Sequence, residues 1–259
     1  MSSNRLPSLG HRLYSVWFRH VLVYTRNLIS NGLPPFMDPL IFLAGVGLGL
    51  GKYIVSMDNL PYIQFLGSGL LVTSSMYTSA FECTYGTFIR LEFDKVYDGM
   101  LSAPITTSDL IVGEILWAGT KGLFFSFAVW IVFAVFGVIP VSTSLLAPIV
   151  GFLTGLMFGA LSLLITSFVT TINHFSFYFT GVLSPMFFFS GVIFPISNLP
   201  KILQPVAWIL PLSHPVAIAR ALTVGRFTPT LLLNLLYIFV LTAITGYFAV
   251  SRLRKRLVQ

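Results

Sequence analysis

The sequence predicts an all-α membrane protein: six transmembrane helices, an N-terminal interfacial amphipathic helix, a short cytoplasmic amphipathic helix, and broken re-entrant or outer helices before the sixth span. Three observations predict it. Of 259 residues, 56% are hydrophobic and 9% charged, too little charge to surface a water-soluble core. Apolar runs of spanning length alternate with short polar links. The basic residues gather at the two ends of the chain rather than on one face, which argues against a nucleic-acid partner.

Residues 1–30 form the first unit and 31–259 the transmembrane domain. Arg5, Arg12, Arg19 and Arg26 recur every seven residues, so they drift only about 20° per step and make one stripe on a helix. Leu6, Leu13, Tyr14, Trp17, Val21, Tyr24 and Leu28 occupy the other side. An in-plane helix follows, with its basic face toward lipid headgroups and its aromatic face buried. No apolar core followed by a small-residue cleavage site marks a signal peptide.

The first span covers about residues 35–53, opened by Pro34, Pro35 and Pro39. Gly45, Gly47, Gly49 and Gly51 give overlapping Gly-x-x-x-Gly patterns that invite close approach of another helix. Gly51-Lys52 is no phosphate loop, because Val46 stands where that loop needs glycine and Tyr53 where it needs Ser or Thr. The second span, about 62–90, is longer than the bilayer requires, so its inner end projects. The third runs from near Asp109 to before Pro140, the fourth over about 145–166, the fifth over about 177–194 and the sixth over about 230–250. Gly151, Gly155 and Gly159 on one side of the fourth predict a helix contact rather than a site.

Between the second and third spans lies the longest charged interval, residues 90–104. Phe93, Val96, Tyr97, Met100 and Leu101 fall on one side of a helix there, and Glu92, Asp94, Lys95 and Asp98 on the other. Pro104 stops that helix, and Thr106 with Asp109 offers a capping-box start for the next. Its apolar side either covers a solvated loop or presents itself to a soluble partner. Before the sixth span, Pro195, Pro200, Pro205, Pro211 and Pro215 break residues 196–226 into pieces too short to cross, re-entrant or lying at the outer surface. Phe187, Phe188, Phe194, Trp208 and His214 make this neighbourhood aromatic, either to meet lipid or sugar or as an interfacial belt.

Six crossings place both termini on one side. Four arginines precede the first span, and Arg252, Arg254, Lys255 and Arg256 follow the sixth, marking that side as cytoplasmic. Residues 90–104 then face the cytoplasm too. Glu82, Glu114 and Lys121 lie at membrane depth, as a structural carboxylate–lysine pairing or as transport or gating groups. Every acidic residue lies at or before Glu114, so cations such as Lys201, Arg220 and Arg226 have no carboxylate in the second half of the chain.

Catalytic and metal chemistry find no pattern. His11, His20, His174 and His214 are scattered and read as interfacial or loop histidines, Cys83 is the single cysteine, and no His-Glu-x-x-His or Gly-x-Ser-x-Gly motif appears. No catalytic residue, cofactor or metal is expected on this chain. A secondary transporter, a channel or an intramembrane enzyme remain alternative classes.

The order of elements resembles the permeases of ABC-2 type exporters over nearly the whole chain. The motifs that carry it are Phe81-Glu-Cys-Thr-Tyr-Gly-Thr-Phe-Ile-Arg90, Gly113-Glu-Ile-Leu-Trp117, Ser190-Gly-Val-Ile-Phe-Pro195 and Leu210-Pro-Leu-Ser-His-Pro215. Within that family the chain is most similar to permeases of nodulation-factor and lipo-oligosaccharide exporters. The resemblance implies a transport subunit of the bacterial inner membrane, two copies working with two ATPase subunits that carry the ATP and Mg, and moving an amphiphile such as a glycolipid outward. A small hydrophobic drug is the alternative cargo. It further implies a coupling helix over residues 92–103, whose Phe93, Val96, Tyr97, Met100 and Leu101 dock the ATPase. The aromatic set ending in Trp208 and His214 becomes an outer gate, and the first and fifth spans lie near the dimer interface.

Overall fold

A computed structural model describes residues 6–49, 53, 54 and 56–257, the side chains of Gly47 and Leu48 apart. Arg5 of the basic stripe and the Gly51-Lys52 pair lie outside the described residues.

Among the described residues the chain is all-α apart from a hairpin of two two-residue strands. Helix α1 (Leu9–Arg26) leads through α2 (Leu28–Gly32) into α3 (Pro34–Gly49). Strands β1 (Ser56–Met57) and β2 (Leu60–Pro61) pair antiparallel around a turn in which Asp58 and Asn59 take left-handed backbone. Helix α4 (Tyr62–Phe81) continues through two π-helical turns, Glu82–Gly86 and Ile89–Phe93. After a tight turn come α5 (Val96–Leu101), α6 (Thr107–Val135), α7 (Val141–Ser144) and α8 (Ala147–Thr166). The second half adds α9 (Phe175–Tyr178), a π-helical turn, α10 (Ser184–Phe189), α11 (Leu203–Ile209), α12 (Ser213–Val224) and α13 (Thr230–Leu257).

Among the described residues three helices are long and apolar enough to cross a membrane: α6, the α7–α8 run Val141–Thr166, and α13. Helices α11 and α12 qualify only as a pair bent by 85°, the break falling where Pro211 interrupts the run. The segment from α9 to α10 is a helix of residues 175–189, shorter than the fifth span expected from hydropathy. Helix α4 has the length of a span, but its hydroxyl side chains hold its hydropathy down, and most of its residues are buried.

Those hydroxyls knit the bundle. Ser75 Oγ donates to Gly122 O at 2.6 Å and Ser79 Oγ to Ala118 O at 2.9 Å. Beside them α6 and α8 cross at backbone contact, as the glycine spacing in α8 predicts: a Cβ on Gly155 would stand 2.7 Å from Ala118 O and 2.9 Å from Gly119 Cα. Small residues let helices gain dispersion contacts that lipid cannot supply. The core then closes with Val72 and Met76 of α4, Met157 and Phe158 of α8, Leu212 and Ile238. A Cβ on Gly45 or Gly49 of α3 would meet nothing within 4 Å, so the close approach expected there is not made by the described residues of this chain.

The bundle has two distinct ends. One gathers α1, the π-helical end of α4, α5, the start of α6 and the last turn of α13, where Arg256 donates to Thr166 O, Val169 O and Glu92 at 2.8–2.9 Å. The other carries the hairpin, the loop after α10, and α11.

Candidate functional site

At the basic end four elements meet on two carboxylates. The capping box expected at Thr106 forms: Asp109 N donates to Thr106 Oγ1 at 3.2 Å while Asp109 Oδ2 accepts from Thr106 N at 2.8 Å. This fixes the start of α6, and the same Asp109 oxygen takes Arg12 Nη1 at 2.6 Å. One turn and more along α6, Glu114 is buried to 1% exposure and accepts from Arg90 Nη2 at 2.8 Å and Tyr97 Oη at 2.7 Å. His20 Nε2 lies 3.0 Å from the same carboxylate, but is not aligned to donate to it. Glu82 holds the other side of Arg90, with Nη1 at 2.7 Å, and takes Lys121 Nζ at 2.8 Å.

The π-helical turns make this possible. At α-helical pitch, residues eight apart would lie about 80° from one another around the axis. The wider i→i+5 turns rotate Arg90 back over Glu82, and Asp94 N duly bonds to Ile89 O at 2.9 Å. Two carboxylates are matched in charge by one guanidinium and one ammonium. That balance makes burial tolerable, since an unpaired charge at this depth is costly.

His20, Glu82 and Glu114 present three ligand atoms within 4.8 Å of one another. Arg90 already occupies the space between the two carboxylates and Lys121 takes the remaining Glu82 oxygen. The arrangement is an ion-pair knot. Burial and the neighbouring Glu114 carboxylate push the Tyr97 hydroxyl well above the usual phenol range, so it stays protonated and serves as a donor.

Several expectations need correcting. The helix expected over residues 92–103 is split by a left-handed Lys95 (φ 51°). Phe93 therefore ends the preceding helix, 63% exposed, while α5 begins at Val96. Tyr97, expected as an ATPase anchor, is 4% exposed and turned onto Glu114. It packs with Val16, Leu91 and Leu110, and Met100 covers them. The apolar side of α5 thus closes on its own chain, because α1 and α6 offer it both apolar surface and a carboxylate. Val96 and Leu101 are half-buried, and the open side presents Asp98, Gly99 and Ser102.

The arginine stripe of α1 is not simply turned to headgroups. Arg12 faces α6, in register with buried Val16 and His20, because Asp109 and Glu114 draw that face inward. Trp17 donates to Thr120 Oγ1 at 2.9 Å, and His20 stacks on Trp117 with ring centres 5.6 Å apart. Leu6 and Tyr14, expected to bury in the bilayer, are left uncovered by the described residues of the chain. His20, read from sequence as an interfacial histidine, is the residue that sequence reasoning missed, and it lies one turn from buried Val16 on the inward face.

The aromatic set assigned to the outer gate divides. Phe187 packs on Tyr77 and Phe188, at 6.5 and 5.3 Å between ring centres. Trp208 and His214 pair at 6.2 Å elsewhere, His214 stacking on Tyr237 and bonding Asn234. No aromatic contact among the described residues joins the two groups, and Phe194 is half-buried apart from both.

Along the side of the bundle runs a groove of about 760 Å³ between α2, α3, α4, α6 and residues 175–189. Phe42, Leu70, Phe125 and Phe187 make it apolar, while Asp38 and Lys121 give it charge. Lys121 thus belongs at once to the knot and to the groove wall.

Apolar helices of spanning length packed through glycines, tied at one end by ion pairs and open along one side, define a polytopic helical membrane protein. A family model described as "ABC-2 type transporter" matches residues 11–224. Nodulation protein J of Rhizobium meliloti (strain 1021) is 33% identical over 220 residues, covering 85% of this chain and 84% of that one. The protein of the same name from Rhizobium leguminosarum bv. viciae is 32% identical over 254 residues, 98% of each chain. The inner membrane transport permease YadH of Escherichia coli (strain K12) is 25% identical over 174 residues, 67% of this chain and 68% of YadH. The chain belongs to the ABC-2 type transporter family, as a membrane-embedded transport component.

Proposed function

We propose that this chain is the transmembrane subunit of an ATP-driven exporter that moves an amphiphile, a lipo-oligosaccharide or related glycolipid, outward across the bacterial inner membrane. Two copies work with two ATPase subunits, which hold the ATP and Mg. In this reading α3, α4, α6, α8, residues 175–189 and α13 are six crossings, and both termini and α5 are cytoplasmic.

The observation that carries the reading is the groove. A cargo with a polar head and an apolar tail matches walls that combine phenyl rings with Asp38 and Lys121, whereas a small apolar drug would strip water from those charges without replacing it. The uncovered glycine face of α3 borders the same side and supports a second copy there, with the groove at the seam.

Force enters through α5. Its polar side docks the ATPase, and its buried Tyr97 passes displacement to Glu114, then to Arg90, Glu82 and Lys121 on the groove wall. The chain's part is mechanical, and hydrolysis occurs on the partner. Reconstitution of the chain with its cognate ATPase in proteoliposomes tests this. Lipo-oligosaccharides should stimulate ATP hydrolysis and accumulate on the far side; stimulation by small apolar drugs alone would favour the other cargo, and no copurifying ATPase would remove the proposal.

A further inference from the structure

At the end of the bundle away from the ion-pair knot, α12 carries an arginine with no carboxylate. Arg220 lies over the Phe65 ring, its guanidinium carbon 3.6 Å from the ring centre. Its Nε donates to Ser68 Oγ at 3.2 Å, and its Nη2 to Phe65 O at 3.2 Å and Gly191 O at 2.8 Å. None of the ion pairs among the described residues includes it. The third nitrogen, Nη1, donates to no protein acceptor among them.

Arg220 lines a pocket of about 340 Å³, with Asp58, Ser190, Gln204, Trp208 and Ala217 around it. One feature makes it more than a gap. Ser190 has 0% exposure and its Oγ finds no hydrogen-bond partner, although buried hydroxyls are ordinarily satisfied. Gly191, whose carbonyl takes Arg220 Nη2, keeps a positive φ of 80°, and a Cβ there would meet Ile196 Cγ1 at 3.3 Å before Arg220 Nη1 at 3.9 Å. Asp58, on the left-handed turn of the hairpin, supplies a carboxylate at the rim. The neighbouring α11 turns Gln204 and Trp208 to the pocket and exposes Leu203, Val206 and Ile209.

We propose that this pocket binds the headgroup of a bilayer phospholipid of the phosphoethanolamine type. The phosphate accepts from Arg220 Nη1 and Ser190 Oγ, the ammonium pairs with Asp58, and the acyl chains lie along the apolar side of α11. A guanidinium and a hydroxyl are a fitting donor set for a phosphate, and the Asp58 carboxylate selects a headgroup whose cation carries N–H donors to it, which a primary ammonium has and a quaternary one lacks. The site is separate from the groove and does not depend on which cargo is moved.

The test uses the purified full chain in detergent, with thermal unfolding followed on addition of phosphatidylethanolamine, phosphatidylglycerol, phosphatidylcholine or inorganic phosphate. Phosphatidylethanolamine should raise the midpoint most, and phosphate alone should leave it unchanged. Arg220 also holds two backbone carbonyls, so the informative variants are Ser190→Ala, which removes a hydroxyl no protein group uses, and Ala217→Asp, which sets a competing carboxylate in the pocket. Each should weaken phosphatidylethanolamine about tenfold while the lipid-free midpoint holds. Equal shifts from phosphatidylcholine, or no effect of either variant, would overturn the headgroup site. Equal shifts from phosphatidylglycerol would overturn the pairing with Asp58, and a full shift from phosphate alone would make it a free-anion site.

Discussion

The Tyr97 hydroxyl donates to the Glu114 carboxylate across 2.7 Å, joining the six-residue helix α5 to the 29-residue helix α6. Because Glu114 also holds Arg90 at 2.8 Å, the proposed function has a push on α5 reach charged side chains as well as the apolar cluster of Val16, Leu91 and Leu110. The open side of α5 is then the surface left for a partner.

Gly99→Arg probes that surface. A side chain at Gly99 meets nothing within 4 Å, and arginine favours a helix over glycine by about 1 kcal/mol or less. The fold and membrane insertion should therefore be unchanged, while copurification of the ATPase falls at least about tenfold, a loss of about 1.4 kcal/mol. Pull-down from solubilised membranes measures it; wild-type recovery would place the docking surface elsewhere.

Lys121 and Glu82 should behave as a coupled pair. Lys121→Met leaves Glu82 with only one of its two cations and should cost about 3–5 kcal/mol. Adding Glu82→Gln should restore about 0.5–3 kcal/mol of it. Unfolding of the purified single and double variants gives the cycle, and strictly additive losses would contradict a direct pair.

Gly155→Leu should prevent assembly. Its Cβ would lie 2.7 Å from Ala118 O and 2.9 Å from Gly119 Cα, and backbone atoms cannot turn aside as a side-chain tip can. The cost is at least about 1–3 kcal/mol, read as loss of monodisperse protein in size-exclusion chromatography. Gly45→Leu, on the uncovered face of α3, should leave the monomer fold intact.

The long apolar segments, the capping box at Thr106, the glycine seam of α8 and a carboxylate–lysine pairing at membrane depth were all legible in the sequence, because each is a local pattern or a simple length. The inward turn of Tyr97 was not. A two-sided helix announces that it has an apolar side, but not whether that side meets its own chain or another. His20 was hidden for a related reason: its partners Glu114 and Trp117 come from another helix, and nothing near position 20 signals them. The π-helical turns that align Arg90 with Glu82 have no compositional mark, and the break at Lys95 lies where amphipathic periodicity runs on undisturbed.

Tyr97→Phe is the most direct test of transmission through the knot. The change keeps the ring and removes one hydrogen bond to a charged group, worth about 1.5–3 kcal/mol, while Arg90 still pairs with Glu114. In proteoliposomes with the cognate ATPase, cargo movement per ATP hydrolysed is the quantity to measure. The account predicts retained ATPase binding and basal hydrolysis with transport per ATP reduced several-fold, and an unchanged transport-to-hydrolysis ratio would contradict it.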